Sequence, residues 1–153
     1  MNYWLVKFAP FRCSWEDILR NGKFEIYSVR SSQARNNLKN MKLNDKVLFY
    51  HSQKGNEIMG EMKVICEAHQ DFTTDDPRWV SVTFEPTESF NNPISLKQIK
   101  SEPELASISL IKQPRLAVVP LSSAEYRTIQ RLIKINSNLH TRDKVMSPER
   151  NKK

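Results

Sequence analysis

Residues 29–42 read VRSSQARNNLKNMK, and this stretch predicts an amphipathic helix with a polar, basic outer face. Ser31 and Ser32 are of a type that often caps a helix N-terminus. Behind them, apolar residues recur at spacings of four and three, the period of one helical face, at Ala34, Leu38 and Met41. We therefore expect a helix from about Ser32 to Met41.

The surroundings of this helix are strongly basic. From Arg20 to Lys42 there are six basic residues and a single acidic one, Glu25. A helix N-terminus presents free backbone N–H groups and a partial positive charge to an anion. Arginine can bind phosphate through two hydrogen bonds, and asparagine can read a base edge. Two interpretations stay open at this point: a nucleotide-binding site, or a solvated amphipathic helix.

The composition fits one globular domain. The chain has 153 residues, of which 39% are hydrophobic and 27% are charged. Its net charge is +7, but residues 134–153 hold six basic and two acidic residues, so much of that charge lies in the tail. Residues 136–153 are polar and lack periodicity. The sequence therefore predicts a domain over 1–135 and a disordered basic tail over 136–153.

The two cysteines, Cys13 and Cys66, fit neither a disulfide framework nor a CxxC motif. Reduced thiols are typical of cytoplasmic proteins, so we expect a cytoplasmic location. Residues 1–7 are apolar over too short a stretch for a signal peptide. No transmembrane run, metal-ligand spacing or glycine-rich phosphate loop is present. We expect no membrane contact, no metal and no cofactor.

The apolar pattern predicts five or six strands and about four helices in no regular alternation. The clearest strands are Tyr3–Lys7, Lys46–Ser52, Glu57–His69, Trp79–Phe84 with an irregular continuation to Phe90, and Leu116–Val119. Besides the basic helix, helices are predicted at Trp15–Asn21, after Ser95 and after Ser122. Such an order indicates a mixed α+β domain around a curved sheet or a small barrel.

Several strings of residues resemble the EVE domain, a small PUA-like module that also occurs in the thymocyte nuclear protein family. The matching strings are YWLVK at 3–7 with Pro10, QARNNL at 33–38, LFYHS at 48–52, PISL at 93–96, and Arg115 with Leu116. Together they extend over roughly residues 1–133 in the family's order. The resemblance implies a PUA-like pseudo-β-barrel with a pocket, and recognition of a modified base in DNA or RNA.

The implied pocket lies between the first strand, the Arg30–Asn36 segment and the strand end at Tyr50–Ser52. The Arg30–Asn36 wall includes Ser31 and Ser32. The residues expected to hold backbone phosphates are Lys7, Arg30, Arg35, Lys39 and Arg115. The residues expected to contact the base are Asn36, Tyr50, His51 and Ser52.

Five positions depart from what the family usually has. Ala9 stands where a glutamate is usual, Ile26 where a tryptophan is usual, and Cys13 where a tyrosine is usual. Ser31 and Ser32 replace an Asn-Tyr pair. A carboxylate can accept from a base amino group, and aromatic faces stack on bases. A second hypothesis is therefore an interaction or scaffold protein with a degenerate base pocket.

Catalytic patterns are absent from the sequence. We find no Ser-His-Asp, Cys-His or paired-carboxylate arrangement. Cys13 precedes a predicted helix N-terminus, which could lower its pKa and make it a nucleophile. Because no partner for it can be named, we predict a non-enzymatic protein whose partner is modified DNA or RNA. The sequence leaves its oligomeric state open.

Overall fold

A computed structural model describes the backbone of residues 1–151 and the side chains of residues 1–138. Its strands are β1 (Tyr3–Phe8), β2 (Phe24–Glu25), β3 (Lys46–His51), β4 (Glu57–Gln70), β5 (Val80–Ser95) and β6 (Val118–Leu121). Its helices are α1 (Trp15–Asn21), α2 (Ser32–Asn40), α3 (Leu96–Lys100), α4 (Ser109–Lys112) and α5 (Ser123–Asn151), and a 3₁₀ turn spans Pro103–Leu105.

The six strands form one mixed sheet in the order β2-β5-β4-β3-β1-β6. β1 runs parallel to β3, while the other neighbouring pairs are antiparallel. The predicted α+β fold of the PUA-like type is confirmed, and its sheet is open, with β2 and β6 at the edges. The sequence did not reveal β2, because two residues are too short for an alternation to be visible.

The long strand β4 follows the predicted alternation over its first half. Gly60, Met62 and Val64 are buried, whereas the residues between them are partly exposed. Cys66, which the alternation places on the same face, is exposed. The pairing of β4 with β5 shifts register between Val64 and Cys66, and such a shift turns the following side chains to the other face.

The two predicted N-terminal helices form with the expected caps. Ser14 and Asp17 make a reciprocal capping box at the start of α1, and Gly22 ends this helix in the left-handed conformation. Ser31 Oγ accepts a hydrogen bond from the Ala34 amide at the start of α2. The apolar face of α2 is buried as predicted, at Ala34, Leu38 and Met41. The basic helix therefore packs on the sheet with its polar face outward.

α5 continues past the predicted domain boundary at residue 135. Asn136 exchanges hydrogen bonds with Asn92 and Gln98, so this residue belongs to the folded domain. The first residue of the predicted tail therefore packs against the sheet and α3, and the domain boundary itself stays a prediction. The backbone is helical to Asn151, because polar residues such as lysine, arginine and glutamate sustain a helix without an apolar period. Residues 152–153, the end of the predicted tail, lie outside the described residues.

Candidate nucleic-acid interface

A cavity of about 490 Å³ opens where the C-terminal ends of β1 and β3 meet. Because β1 and β3 are parallel, with Lys7 beside Tyr50 and Phe8 beside His51, both strands end at the same edge. We call it the β1–β3 cavity, and its walls are Lys7, Phe8, Ala9, Arg12, Tyr50, Ser52, Gln53, Asn56, Leu96, Leu110, Pro114, Arg115 and Ala117. A cavity of this size is in the range that holds a small organic ligand.

Hydrogen bonds fix the walls of the β1–β3 cavity to one another. The Lys7 amide donates to the Ala117 carbonyl at 2.8 Å, and the Ser52 amide donates to the Phe8 carbonyl at 3.0 Å. The Lys7 ammonium donates to the Pro114 carbonyl. These hydrogen bonds hold three of the chain segments that line the cavity in register, namely β1, the end of β3 and residues 114–117.

Two groups in the cavity have shifted pKa values. Tyr50 is 3% exposed, and burial raises the pKa of its hydroxyl to about 12, so this group stays neutral and can donate or accept. Burial lowers the pKa of the Lys7 ammonium, because part of its hydration is lost. Both groups are thus partly desolvated hydrogen-bonding groups facing a ligand-sized space.

Arginines border the mouth of the cavity. The Arg12 guanidinium lies 4.1 Å from the centre of the Phe8 ring and 5.0 Å from that of Tyr27. Arg115 is exposed, and it pairs with none of the residues whose side chains are described. Sequence reasoning missed Arg12, because its place beside the cavity depends on the turn after β1 rather than on any periodic pattern.

Four of the residues predicted for the site lie together in the β1–β3 cavity: Lys7, Tyr50, Ser52 and Arg115. Arg115 also lines a neighbouring hollow, which Ser31 borders at the start of α2. The cavity therefore lies next to the N-terminus of α2, with residues 113–116 between them. The third wall is formed by Leu110, Pro114, Arg115 and Ala117, in the place where the sequence predicts the Arg30–Asn36 segment.

Two predicted base contacts lie outside the cavity. His51 Nε2 accepts a hydrogen bond from the Trp15 amide at 2.9 Å, and burial lowers the pKa of this histidine. Through this hydrogen bond, the neutral His51 ring connects the start of α1 to the end of β3. Asn36 is exposed on α2, where its Oδ1 accepts from the Arg35 guanidinium. Neither side chain therefore lines the β1–β3 cavity. Ser32 and Lys39 are also exposed on α2.

Arg30 and Arg35 meet at a different aromatic residue, Trp79. The guanidinium carbons of Arg30 and Arg35 each lie 5.5 Å from the Trp79 ring centre, and that of Arg78 lies at 5.4 Å. We call these four residues the Trp79 cluster. Arg30 is paired with Asp71. Arg78 is paired with Asp76, so Arg35 is the arginine of the cluster that has no carboxylate partner among the residues whose side chains are described. The cluster is separate from the cavity lining, and Arg35 is the group in it that can contact a phosphate.

Cys13 has the opposite of the reactivity that its position suggested. The pKa of its thiol is raised, first by burial and then by the nearby Asp17 carboxylate. That carboxylate caps α1, so it places a negative charge where the helix N-terminus would otherwise stabilise a thiolate. The predicted lowering of the Cys13 pKa is therefore wrong.

Thiol labelling tests this assignment. With limiting iodoacetamide near neutral pH, Cys66, which is exposed, is expected to be alkylated at least about tenfold faster than Cys13, because the thiolate is the reacting form. Peptide mass spectrometry over a time course gives both rates in one sample. Asp17→Asn is expected to speed labelling of Cys13 alone. Faster labelling of Cys13 in the unmodified protein would contradict the raised pKa.

Neither a metal-ligand group nor a membrane-spanning helix is found among the described residues. Among them, no group of three or more His, Cys, Asp or Glu side chains could hold a metal ion. The helices in the same part of the chain are too short or too polar to cross a membrane.

The fold is shared with several solved proteins. A hypothetical protein from Leishmania major superposes with a TM-score of 0.85 at 32% identity, over 90% of this chain and 97% of that one. The human THYN1 protein, solved in complex with DNA containing 5-methylcytosine, superposes with a TM-score of 0.82 at 28% identity, over 87% of this chain and 98% of that one.

Sequence comparison agrees with the structural matches. Thymocyte nuclear protein 1 from Mus musculus is 32% identical over 159 aligned residues, which cover 82% of this chain and 70% of the mouse protein. The family model of the EVE domain matches residues 2–132. On these matches and on its fold, the chain belongs to the EVE domain family.

Proposed function

We propose that the protein binds DNA carrying a modified cytosine and holds the modified base in the β1–β3 cavity. The observation that carries this proposal is a ligand-sized, arginine-bordered cavity in a chain that superposes on a protein solved with 5-methylcytosine DNA. The raised pKa of Cys13 argues against nucleophilic catalysis by this thiol. The sequence does not distinguish DNA from RNA as the ligand. Binding to RNA is therefore measured separately in the same experiment.

A base can reach such a cavity only after it leaves the stack. Flipping one nucleotide costs a few kcal/mol, which contacts inside the pocket must offset. Phe8, Leu96 and Leu110 supply apolar surface to the base, and Tyr50 and Ser52 supply hydrogen-bonding hydroxyls. These groups form the proposed base-binding set.

Phosphates on both sides of the flipped nucleotide need cations outside the cavity. Arg12 and Arg115 border its mouth, and the Trp79 cluster with Lys39 provides further positive charge. Contacts of this kind fix the position of the protein on the duplex without reading its sequence. They also make affinity fall with salt concentration. The proposal thus divides the surface into a base-reading cavity and phosphate-holding arginines.

Filling the cavity tests the proposal directly. Ala117 lines the β1–β3 cavity and is only partly buried, so Ala117→Leu is expected to take up space that the base needs. Fluorescence anisotropy at low salt compares duplexes that differ in one methyl group. The unmodified protein is expected to prefer the methylated duplex, and Ala117→Leu is expected to lose about tenfold of that preference while still binding plain DNA.

Matched controls separate the cavity from the arginines. Ala124→Leu adds the same volume on an exposed position of α5, and its preference is expected to stay unchanged. Arg115→Ala is expected to weaken binding to both duplexes and to reduce the salt slope by about one. A preference that survives Ala117→Leu contradicts the base pocket. Absence of binding to any methylated or plain DNA or RNA at low salt favours the interaction or scaffold protein instead.

The cellular location of the protein affects which nucleic acid it can encounter. The relatives in mouse, rat and human are named thymocyte nuclear protein 1. That name points to the nucleus for those proteins, whereas the free cysteines suggested the cytoplasm for this chain. A nuclear location would agree with a DNA ligand, and the cytoplasmic location stays a prediction.

A further inference from the structure

A cysteine, a histidine and a glutamate meet near the C-terminal end of β4. Cys66 Sγ lies 3.6 Å from Nδ1 of His69, and Nε2 of the same ring lies 2.8 Å from Oε2 of Glu25 on β2. We call these three residues the Cys66 cluster. None of them lines the β1–β3 cavity or belongs to the Trp79 cluster. The proposed function therefore makes no use of this arrangement.

An irregularity in β4 brings the cluster together. Residues three apart in a regular strand lie on opposite faces of the sheet, so the spacing of Cys66 and His69 does not predict a contact. Cys66 pairs with Thr83 and His69 pairs with Ser81, so three steps along β4 match two along β5. The extra residue is a β-bulge, and it turns His69 to the side of Cys66. Glu25 pairs with Thr83 from the other side of β5 and so completes the row.

Both nitrogens of the His69 ring face acceptors. Besides the Glu25 carboxylate at Nε2, the Glu67 backbone carbonyl oxygen lies 2.9 Å from Nδ1. A neutral imidazole has one N–H and donates to only one of them, whereas the imidazolium donates to both. Burial alone would lower the pKa of His69, but these two hydrogen bonds and the Glu25 charge raise it above its usual value. The charged ring is therefore favoured, and its Nδ1 lies within reach of Cys66 Sγ.

The surroundings of Cys66 differ from those of Cys13 in access and in charge. Cys66 is exposed, so a small molecule in solution can reach its sulfur, whereas Cys13 is partly buried. The ionisable group that acts on Cys13 is the Asp17 carboxylate, which opposes a thiolate. The group in contact with Cys66 is the His69 imidazolium, which holds a thiolate by charge and by its N–H. Since the thiolate is the attacking form in disulfide exchange, Cys66 has both the access and the neighbour that this reaction needs.

We propose that Cys66 is a site of reversible modification by low-molecular-weight disulfides, with His69 as its positioning residue. The Cys66 thiolate attacks one sulfur of the disulfide, a new S–S bond forms to Cys66, and the original S–S bond breaks. The Cys66 sulfur is oxidised and the departing sulfur is reduced, so no other oxidant is needed. The proton that leaves the Cys66 thiol ends on the departing thiol through solvent. Attack by a free thiol on the mixed disulfide reverses the reaction.

Oxidised glutathione is the probe for this site, and the assay contains no nucleic acid. Intact mass spectrometry at neutral pH follows the addition of one glutathionyl group over time, and peptide mapping assigns it. The adduct is expected on Cys66 while Cys13 stays free, and an excess of reduced glutathione is expected to remove it. Cys66→Ser is expected to abolish the addition. A protein that gains no adduct on Cys66, or gains one first on Cys13, overturns the proposal.

Two variants separate the charged ring from the contact between β2 and β4. His69→Gln and Glu25→Gln each break the ion pair between these strands, but only His69→Gln removes the ring beside the thiol. His69→Gln is expected to slow the addition to Cys66 about threefold or more, because the loss of thiolate is partly offset by the higher nucleophilicity of the remaining fraction.

Glu25→Gln is expected to slow the addition to Cys66 less than His69→Gln does. It weakens the positive charge on His69, but it also removes a negative charge near the thiolate, and the two effects oppose each other. If His69→Gln lacks a cooperative thermal transition, His69→Asn provides the same comparison. Slowing by Glu25→Gln that equals or exceeds the slowing by the His69 variant would show that the ion pair acts only on local structure, and it would contradict the proposal. An unchanged rate in the His69 variant would contradict it as well.

Discussion

Gly60→Ala is expected to destabilise the protein by about 4 kcal/mol or more, enough to remove most of the stability of a domain of this size. A Cβ atom at Gly60 would lie 2.1 Å from Cζ2 of Trp15 and 2.6 Å from the Glu88 carbonyl oxygen. Neither neighbour can move away without a large cost in free energy. The carbonyl belongs to the adjacent strand, and the Trp15 ring is 2% exposed in the core.

Trp15 is fixed by three further contacts, which explains the size of this effect. Its indole Nε1 donates to Ser89 Oγ at 2.9 Å, its amide donates to His51 Nε2 at 2.9 Å, and its ring packs on Phe49. Moving the ring therefore disturbs α1, β3 and β5 together. Since Tyr50 and Ser52 flank His51, the loss is expected to reach the β1–β3 cavity as well.

Urea denaturation followed by tryptophan fluorescence measures the free energy of unfolding in this case. Gly22→Ala is the matched control, because no atom lies within 4 Å of a Cβ added at Gly22. The only strain expected there comes from placing alanine at a positive φ of 77°. Its expected cost is about 1 kcal/mol. Trp15→Leu in the Gly60→Ala background is expected to recover part of the loss. A Gly60→Ala protein as stable as Gly22→Ala would contradict the packing described.

The sequence was most informative where a segment's conformation follows from its own residues. The start and end of α1 follow from Ser14 and Gly22, and the buried face of α2 follows from the spacing of Ala34 and Leu38. The run at β3 is buried on both faces, as its continuous apolar residues predicted. In each of these elements, the residues that determine the conformation lie within one short stretch of sequence.

The candidate site was less predictable, because its walls come from distant parts of the chain. Lys7 and Tyr50 could be paired from the resemblance, but the third wall at residues 110–117 depends on how α4 and β6 return to the sheet. Arg30 was placed at the site from its charge and from the resemblance. Its neighbour Asp71 lies 41 residues away in sequence, so the local pattern contained no sign that Arg30 is paired.

Asp71→Asn is expected to cost about 3 kcal/mol, because the Asp71 carboxylate joins two loops from a fully buried position. It accepts hydrogen bonds from the Ser28 amide at 2.8 Å and from Thr73, and it forms an ion pair with Arg30 at 3.0 Å. Ser28 has a positive φ of 59°, a conformation that non-glycine residues adopt at a cost. An amide in place of the carboxylate leaves Arg30 without its counter-charge.

The pH dependence of this effect has a defined sign. Burial alone would raise the Asp71 pKa, but hydrogen bonds from Thr73, Arg30 and Ser28 lower it to about 2. In the unfolded chain, an aspartate has a pKa of about 3.9. The carboxylate therefore stabilises the fold fully above that value, and its contribution is lost as pH falls from about 4 to about 2. The difference in stability between the unmodified protein and Asp71→Asn is expected to shrink over this window.

Urea unfolding at neutral pH and at acidic pH values down to about 2 gives this difference directly. Asp75→Asn is the control in the same loop, since Asp75 is exposed, and it is expected to change stability by less than about 0.5 kcal/mol. Because Arg30 belongs to the Trp79 cluster, Asp71→Asn is also expected to alter the salt dependence of DNA binding, whereas Asp75→Asn leaves the cluster in place. A pH-independent gap between Asp71→Asn and the unmodified protein would contradict the assigned role of the carboxylate.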